Sequence, residues 1–238
     1  MDDPLSLVTP RAPTANRPLL GLTVLVVEDS RFACEALRLM CLRSGARIRR
    51  ADCLRSARRH LQVYRPTVAI IDLGLPDGSG ADLIAELVQT QPRVELILAM
   101  SGDAFNQEMA IAAGADGFLT KPFSSLASFQ QAILSRLPAG RQPPSPRQVS
   151  DEMIEPDPIA YRDDMVHLAD VLNDHTSEKV VDYVAQFTSG VARSANDTPL
   201  LDAALSLAKA RAAGRPSQAS LARLAGIVQE RLAEKVAI

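Results

Sequence analysis

The chain has 238 residues, 47% of them hydrophobic and 23% charged, with a formal net charge of −2 and three cysteines. That length suits one large domain or two smaller ones, each able to bury a core without staples, and an odd cysteine count excludes a fully paired disulfide framework. A charge near zero, 4% aromatics and no tryptophan supply no electrostatic or stacking argument for nucleic acid.

Apolar runs fall short of the ~20 residues a membrane span needs. The N-terminal MDDPLSLVTP is acidic and proline-bearing, unlike a signal peptide, so a cytoplasmic location with no membrane partner is expected. Four of the sixteen prolines lie in residues 1–20 and six between Pro138 and Pro158. Proline fixes φ and cannot donate to a helix or ladder, so these stretches read as a flexible tail (1–20) and a Pro-rich linker (139–158). They flank a first domain at 21–138 and precede a second at 159–238.

The first domain alternates short apolar runs with amphipathic stretches. Strands are predicted at Leu22–Val27, Arg47–Arg50, Thr67–Asp72, Glu95–Met100 and Gly117–Thr120, and helices at 30–44, 53–64, 79–91, 105–113 and 124–137. The runs TVLVV, TVAII and ELILAM are apolar at successive positions, as strands covered on both faces are. The fold class is therefore α/β, a doubly wound five-stranded parallel sheet, followed by a small all-α domain. Four helices are predicted there, from apolar positions 165/168/172, 180/184/187, 201/205/208 and 221/224/228/232/236. Thr198-Pro199 reads as a cap and first turn, Gly214 as a helix end, and Pro216-Ser217 as the start of the fourth helix.

Acidic and small polar residues stand where the apolar runs stop: Glu28 and Asp29 after the first, Asp72 at the end of the third, Ser101 after the fourth, Lys121 after the fifth. Right-handed crossovers place all five at one sheet edge, the ligand crevice of a doubly wound fold. Two carboxylates ~5 Å apart repel by about 3 kcal/mol at an effective dielectric near 20, so three crowded together take up protons or recruit a cation. Hard oxygen donors without His or Cys favour Mg²⁺. Lys121, the only lysine in 1–138, supplies a fixed positive charge facing an anion. Together these groups describe a phosphoryl site with Asp72 as covalent acceptor.

The segments VLVVEDSR, IDLGLPDGSG, Met100-Ser101-Gly102 and FLTKPF, in this order and spacing, resemble the receiver domain of two-component response regulators, over about residues 21–138. The resemblance implies a flavodoxin-like fold and phosphorylation of Asp72 by a sensor histidine kinase or a histidine phosphotransfer protein. It implies Mg²⁺ held by Asp29, Asp72 and the Gly74 carbonyl, with Glu28 acting through the metal's water shell. Ser101 and Lys121 would bind phosphoryl oxygens, Ser101 and Phe118 would form the switch, and Lys121-Pro122 would be cis. Such a receiver is a signalling phosphoprotein rather than an enzyme with an external substrate, although it catalyses its own phosphorylation and dephosphorylation. Gly78 and Gly80 fit a tight turn that uses φ > 0. Gly74 and Asp103 depart from common receivers, and an unusual phosphoryl lifetime is expected from them.

Cys34 and Cys41, on one helical face about 10 Å apart, read as core thiols too far apart to pair. The arginines at 47, 49, 50, 55, 58 and 59 read as a solvated face. His175-Thr-Ser-Glu-Lys179 lacks the small residue after the lysine that histidine phosphotransfer modules carry, so neither His175 nor His167 is read as a phospho-acceptor. Leu221-Ala222, Gly226, Ile227 and Leu232 have helix-turn-helix spacing. However, an unbroken apolar stripe runs through Gly226, and 11 lysines and arginines against 14 acids in 139–238 favour a helical interaction module over a DNA reader. The expected output is a downstream protein partner or homodimer, with a DNA-binding transcription regulator as the alternative.

Overall fold

The computed structural model describes residues 12–144, 149–174 and 177–234. The N-terminal decapeptide, His175 and Val236 lie outside the described residues. In chain order come β1 (Thr23–Val27), α1 (Arg31–Ser44), β2 (Arg47–Ala51), α2 (Leu54–Val63), β3 (Val68–Asp72), β4 (Gly74–Leu75), β5 (Gly78–Ser79), α3 (Gly80–Gln89), β6 (Leu96–Ser101), α4 (Asn106–Ala112), β7 (Gly117–Thr120) and α5 (Leu126–Leu134). Five strands form a parallel sheet in the order β2-β1-β3-β6-β7. Beyond the five predicted strands, β4 and β5 form a small antiparallel hairpin.

The continuous apolar runs have the expected cause. Val24 and Val26 enter one buried layer with Leu37 and Met40 of α1 and Phe129 and Ile133 of α5. Leu25 and Val27 enter the opposite layer with Leu54 of α2 and Leu83 and Ile84 of α3. Cys34 and Cys41 are free, buried thiols of the first layer, and burial pushes Cys41 up to about 12. Ser30 caps α1 by accepting from the Ala33 amide, and Gly45 ends it in the left-handed region at φ 85°.

One glycine has a different role from the one expected. Gly78 has positive φ, 148°, but Gly80 does not. A Cβ on Gly80 would lie 1.9 Å from the Asp72 carbonyl oxygen, so close backbone approach, not torsion, requires glycine there.

The second half folds into α6 (Pro158–Asp174), α7 (Glu178–Ser194), α8 (Thr198–Ala212) and α9 (Gln218–Ala233) around one apolar core. Helix α9 runs unbroken through Gly226. Two details differ from the sequence reading. The cap of α8 is Asp197, whose carboxylate accepts from the Leu200 amide, with Thr198 already helical. The buried face of α8 is Leu200, Ala203, Ala204 and Leu207; of the expected 201/205/208, Leu201 alone packs against the bundle core. Leu205 and Ala208 instead line a cavity facing the sheet edge, which gives that second stripe its apolar character.

The connection between the halves is anchored in part. Ile154 is buried in the α1/α5 layer, its amide donates to the Ser124 carbonyl at 2.8 Å, and the Leu126 amide donates to the Glu152 carbonyl at 3.2 Å.

Candidate functional site

The parallel topology delivers the five predicted side chains to the C-terminal edge of the sheet. Glu28, Asp72, Ser101 and Lys121 are buried and Asp29 half-buried. Glu28, Asp29 and Asp72 each offer a carboxylate oxygen, all within 4.8 Å of one another. Lys121 Nζ lies 2.5 Å from Glu28 Oε2 and 3.2 Å from Asp72 Oδ1. The other Glu28 oxygen accepts from the Ser30 amide at 3.0 Å. The Lys121-Pro122 peptide is cis.

The electrostatics follow from crowding. Burial raises Asp72 to about 7; Lys121 counters part of this, and Glu28 adds to it. Asp29 is raised well above the carboxylate range by burial and by the charges of Glu28 and Asp72. Lys121 moves the other way. Burial disfavours its charge, but Asp72 and Glu28 outweigh that and hold the ammonium protonated far above its ordinary value. The site thus holds one secure cation beside three crowded carboxyl groups, two of which, Asp29 and Asp72, resist ionising. That is the setting in which a divalent ion on hard oxygen donors is favoured.

Ser101 Oγ accepts from the Asp103 amide at 3.2 Å and from Asn106 Nδ2 at 3.0 Å. Asn106 carries no signal in the sequence, where a single amide at a helix start is ordinary. Asp103 accepts from the Phe105 amide at 3.0 Å, which organises the turn into α4. Phe118 sits half-buried on β7 opposite Ala99 and packs on the α2/α3 layer.

More residues come from the helical half. Asp164 of α6, 1% exposed, accepts from Ser30 Oγ at 2.7 Å and from the Arg31 and Phe32 amides at 2.7 and 3.1 Å. It places a carboxylate against the N-terminus of α1, where the free amides and helix dipole favour negative charge. Helix α7 lies over the site. Tyr183 donates its hydroxyl to Asp29 Oδ2, Gln186 occupies the space beside Gly74, and Gly190 and Arg193 approach Gly102. These four lie at i, i+3, i+7 and i+10, a single stripe of the helix. A Cβ on Gly74 would come within 1.8 Å of Gln186 Nε2, so the absence of a side chain at 74 makes room for α7. A cavity of about 600 Å³ remains between the halves, lined by Asp72, Ser101, Lys121, Gln186 and Arg193 among others.

The family model described as the response regulator receiver domain matches residues 24–133. Residues 24–133 are a response regulator receiver domain. Relatives of this receiver domain include the KDP operon transcriptional regulatory protein KdpE of Escherichia coli, 34% identical over 42% of this chain and 44% of that protein. The virulence transcriptional regulatory protein PhoP of Salmonella typhimurium is 30% identical over 48% of this chain and 53% of its own length. The chain thus spans about half the length of these curated relatives.

Among solved structures, the receiver domain of sensor histidine kinase PA1611 from Pseudomonas aeruginosa PAO1, with magnesium in its active site cleft, is 24% identical. It covers 48% of this chain and 96% of that one, at a TM-score of 0.45. Chemotaxis protein CheY4 of Vibrio cholerae is also 24% identical, over 49% of this chain and 98% of that one, at a TM-score of 0.45. Among the described residues, no helix is long and apolar enough to cross a membrane.

Proposed function

We propose that Asp72 is the phospho-acceptor of a cytoplasmic two-component response regulator. The observation that carries this reading is Lys121 Nζ, 3.2 Å from Asp72 Oδ1, inside a buried cluster of three carboxylates. A carboxylate oxygen of Asp72 attacks the phosphorus of a phosphohistidine on a sensor kinase or phosphotransfer protein. The O–P bond forms as the N–P bond breaks, and the electron pair leaves with the imidazole. Lys121 and the Ser101 hydroxyl face the transferred oxygens. No general base is required, because the reaction depends on positioning and charge neutralisation.

The donor set fits Mg²⁺: hard oxygens only, among them three carboxylate oxygens within 4.8 Å of one another. Asp29, Asp72 and the Gly74 carbonyl would hold the ion, with Glu28 acting through its water shell. When bound, it would neutralise phosphoryl oxygens.

The added charge then acts as the switch: Ser101 turns toward the phosphoryl group, Phe118 moves into the space released, and the surface formed by α4, β7 and α5 changes. The helical bundle carries the response to a protein partner or a second copy, a reading supported by its net negative charge and the unbroken α9. Transcription regulation is the second reading, and it is favoured by KdpE and PhoP being named transcriptional regulators. Ranking DNA below a protein partner has no support from these relatives.

Labelling the full chain with a small phosphodonor and Mg²⁺ tests the acceptor. Label is expected in the wild type and absent in Asp72→Asn; label retained in that variant removes the assignment. A salt-dependent mobility shift with the full chain would establish the DNA output.

A further inference from the structure

Arg193 is the one charged residue of the α7 stripe, and its polar atoms lack an assigned use. Its Nε is buried without a hydrogen-bond partner, and its guanidinium has no ion pair among the described residues. Two acids share its cavity without pairing with it: Asp103 accepts from the Phe105 amide, and Asp182 pairs with Arg211 at 2.8 Å. The Arg193 stem lies over Gly102, where a Cβ would meet its Cδ at 3.3 Å and its Nε at 3.6 Å. The glycine following Ser101 therefore lets a cation approach the loop that carries the phosphoryl-binding hydroxyl. Arg193 lines the same cavity as Asp72, Ser101 and Lys121. A guanidinium partly withdrawn from water without a counterion is costly, and its planar donors suit phosphoryl oxygens.

Charge points to the same ligand. Lys121 is already shared between Glu28 and Asp72. Phosphorylation replaces one carboxylate charge with about −1.5 to −2. Even with a divalent ion bound, one secure ammonium among these acids leaves negative charge facing the cavity.

We propose that Arg193 is a phosphoryl-binding residue supplied by the helical bundle, a second fixed cation for the group on Asp72. The inference rests on the phosphorylation reading above and adds the second half of the chain to that site. The bundle would then sense the phosphoryl group by direct contact as well as through the α4-β7-α5 surface.

The test uses full-length wild type, Arg193→Met, Arg193→Lys and Asp72→Asn. Methionine keeps an unbranched stem over Gly102 without the charge. The readouts are beryllofluoride affinity at fixed Mg²⁺, followed by fluorine NMR, and the lifetime of the acyl phosphate after donor removal. Arg193→Met is expected to weaken beryllofluoride about tenfold, with Arg193→Lys intermediate and a thermal midpoint within about 2 °C of wild type. Wild-type affinity in Arg193→Met overturns the proposal, as does equal loss in the lysine and methionine variants. Failure to label the wild type, or label retained in Asp72→Asn, removes the underlying phosphorylation reading instead.

Discussion

Tyr183 donates its hydroxyl hydrogen to Asp29 Oδ2 at 2.8 Å, joining two residues 154 positions apart in the chain. The same phenol oxygen lies 3.0 Å from His167 Nε2. With its one hydrogen committed to Asp29, the phenol accepts from the imidazole, which fixes the hydrogen on Nε2. Burial lowers the pKa of His167, favouring this neutral form, and burial together with Asp29 keeps Tyr183 protonated. A helix of the bundle thus places a neutral donor chain against the acid cluster.

Tyr183→Phe removes that donor and leaves Asp29 facing Glu28 and Asp72 without it. The expected result is about tenfold faster hydrogen exchange at α7 amides, equivalent to roughly 1.4 kcal/mol, with the bundle core still protected. Unchanged α7 exchange would show that the contact adds nothing to docking.

Asp164 satisfies three donors at the start of α1 while 1% exposed. Replacing it with alanine strands two amides and a hydroxyl, and should cost about 3 kcal/mol in denaturant unfolding. Arg31→Ala is the comparison. Its ion pair with Asp163 is largely exposed, so a loss below about 1 kcal/mol is expected.

Gly74 and Gly80 should respond very unequally to alanine. At Gly74 the obstacle is the end of the Gln186 side chain, which can rotate away, so a cost below about 1 kcal/mol is expected, together with an altered phosphoryl lifetime. At Gly80 the obstacle is the Asp72 backbone carbonyl at 1.9 Å, and a loss of about 3 kcal/mol or more is expected. Equal midpoints in urea unfolding would contradict this distinction.

Asp197 joins three helices of the bundle, accepting from Tyr161 at 2.7 Å, from Arg231 at 2.7 Å and from the Leu200 amide at 3.1 Å. Burial opposes its charge, but Arg231, Tyr161 and the amide outweigh it and hold the carboxyl below its ordinary range. The unfolded chain therefore takes up this proton more readily than the folded one. The stabilisation is present above the ordinary value of about 3.9 and is lost as pH falls through the lower folded value. Asp197→Asn should destabilise the bundle at pH 7 and flatten that acid limb in thermal unfolding. An unchanged limb would assign the acid sensitivity elsewhere.

The receiver half was readable because its signals are local. Apolar runs ended in Glu28-Asp29, Asp72, Ser101 and Lys121, and parallel topology then gathered those ends at one edge. The α7 contribution had no such signal. Tyr183, Gln186, Gly190 and Arg193 have the periodicity of any solvated helix face, and only the packing of α7 against the sheet edge gives them a common target. Gly74 and Gly102 are small residues in the sequence, but the α7 residues they accommodate lie over 80 positions away in the chain. For α8, a second apolar stripe at Leu205 and Ala208 competed with the true core stripe, since a cavity wall and a bundle core use the same side chains.

Ile154 is held in the α1/α5 layer, and α6 begins at Pro158. Four residues reach at most about 14 Å even when fully extended. If α7 lifts from Asp72, the bundle therefore remains on a short leash, at an effective concentration on the order of millimolar. A partner competing for the uncovered edge must outbind an intramolecular rival, so modest changes in the affinity of α7 for the site translate into large changes in which partner occupies it.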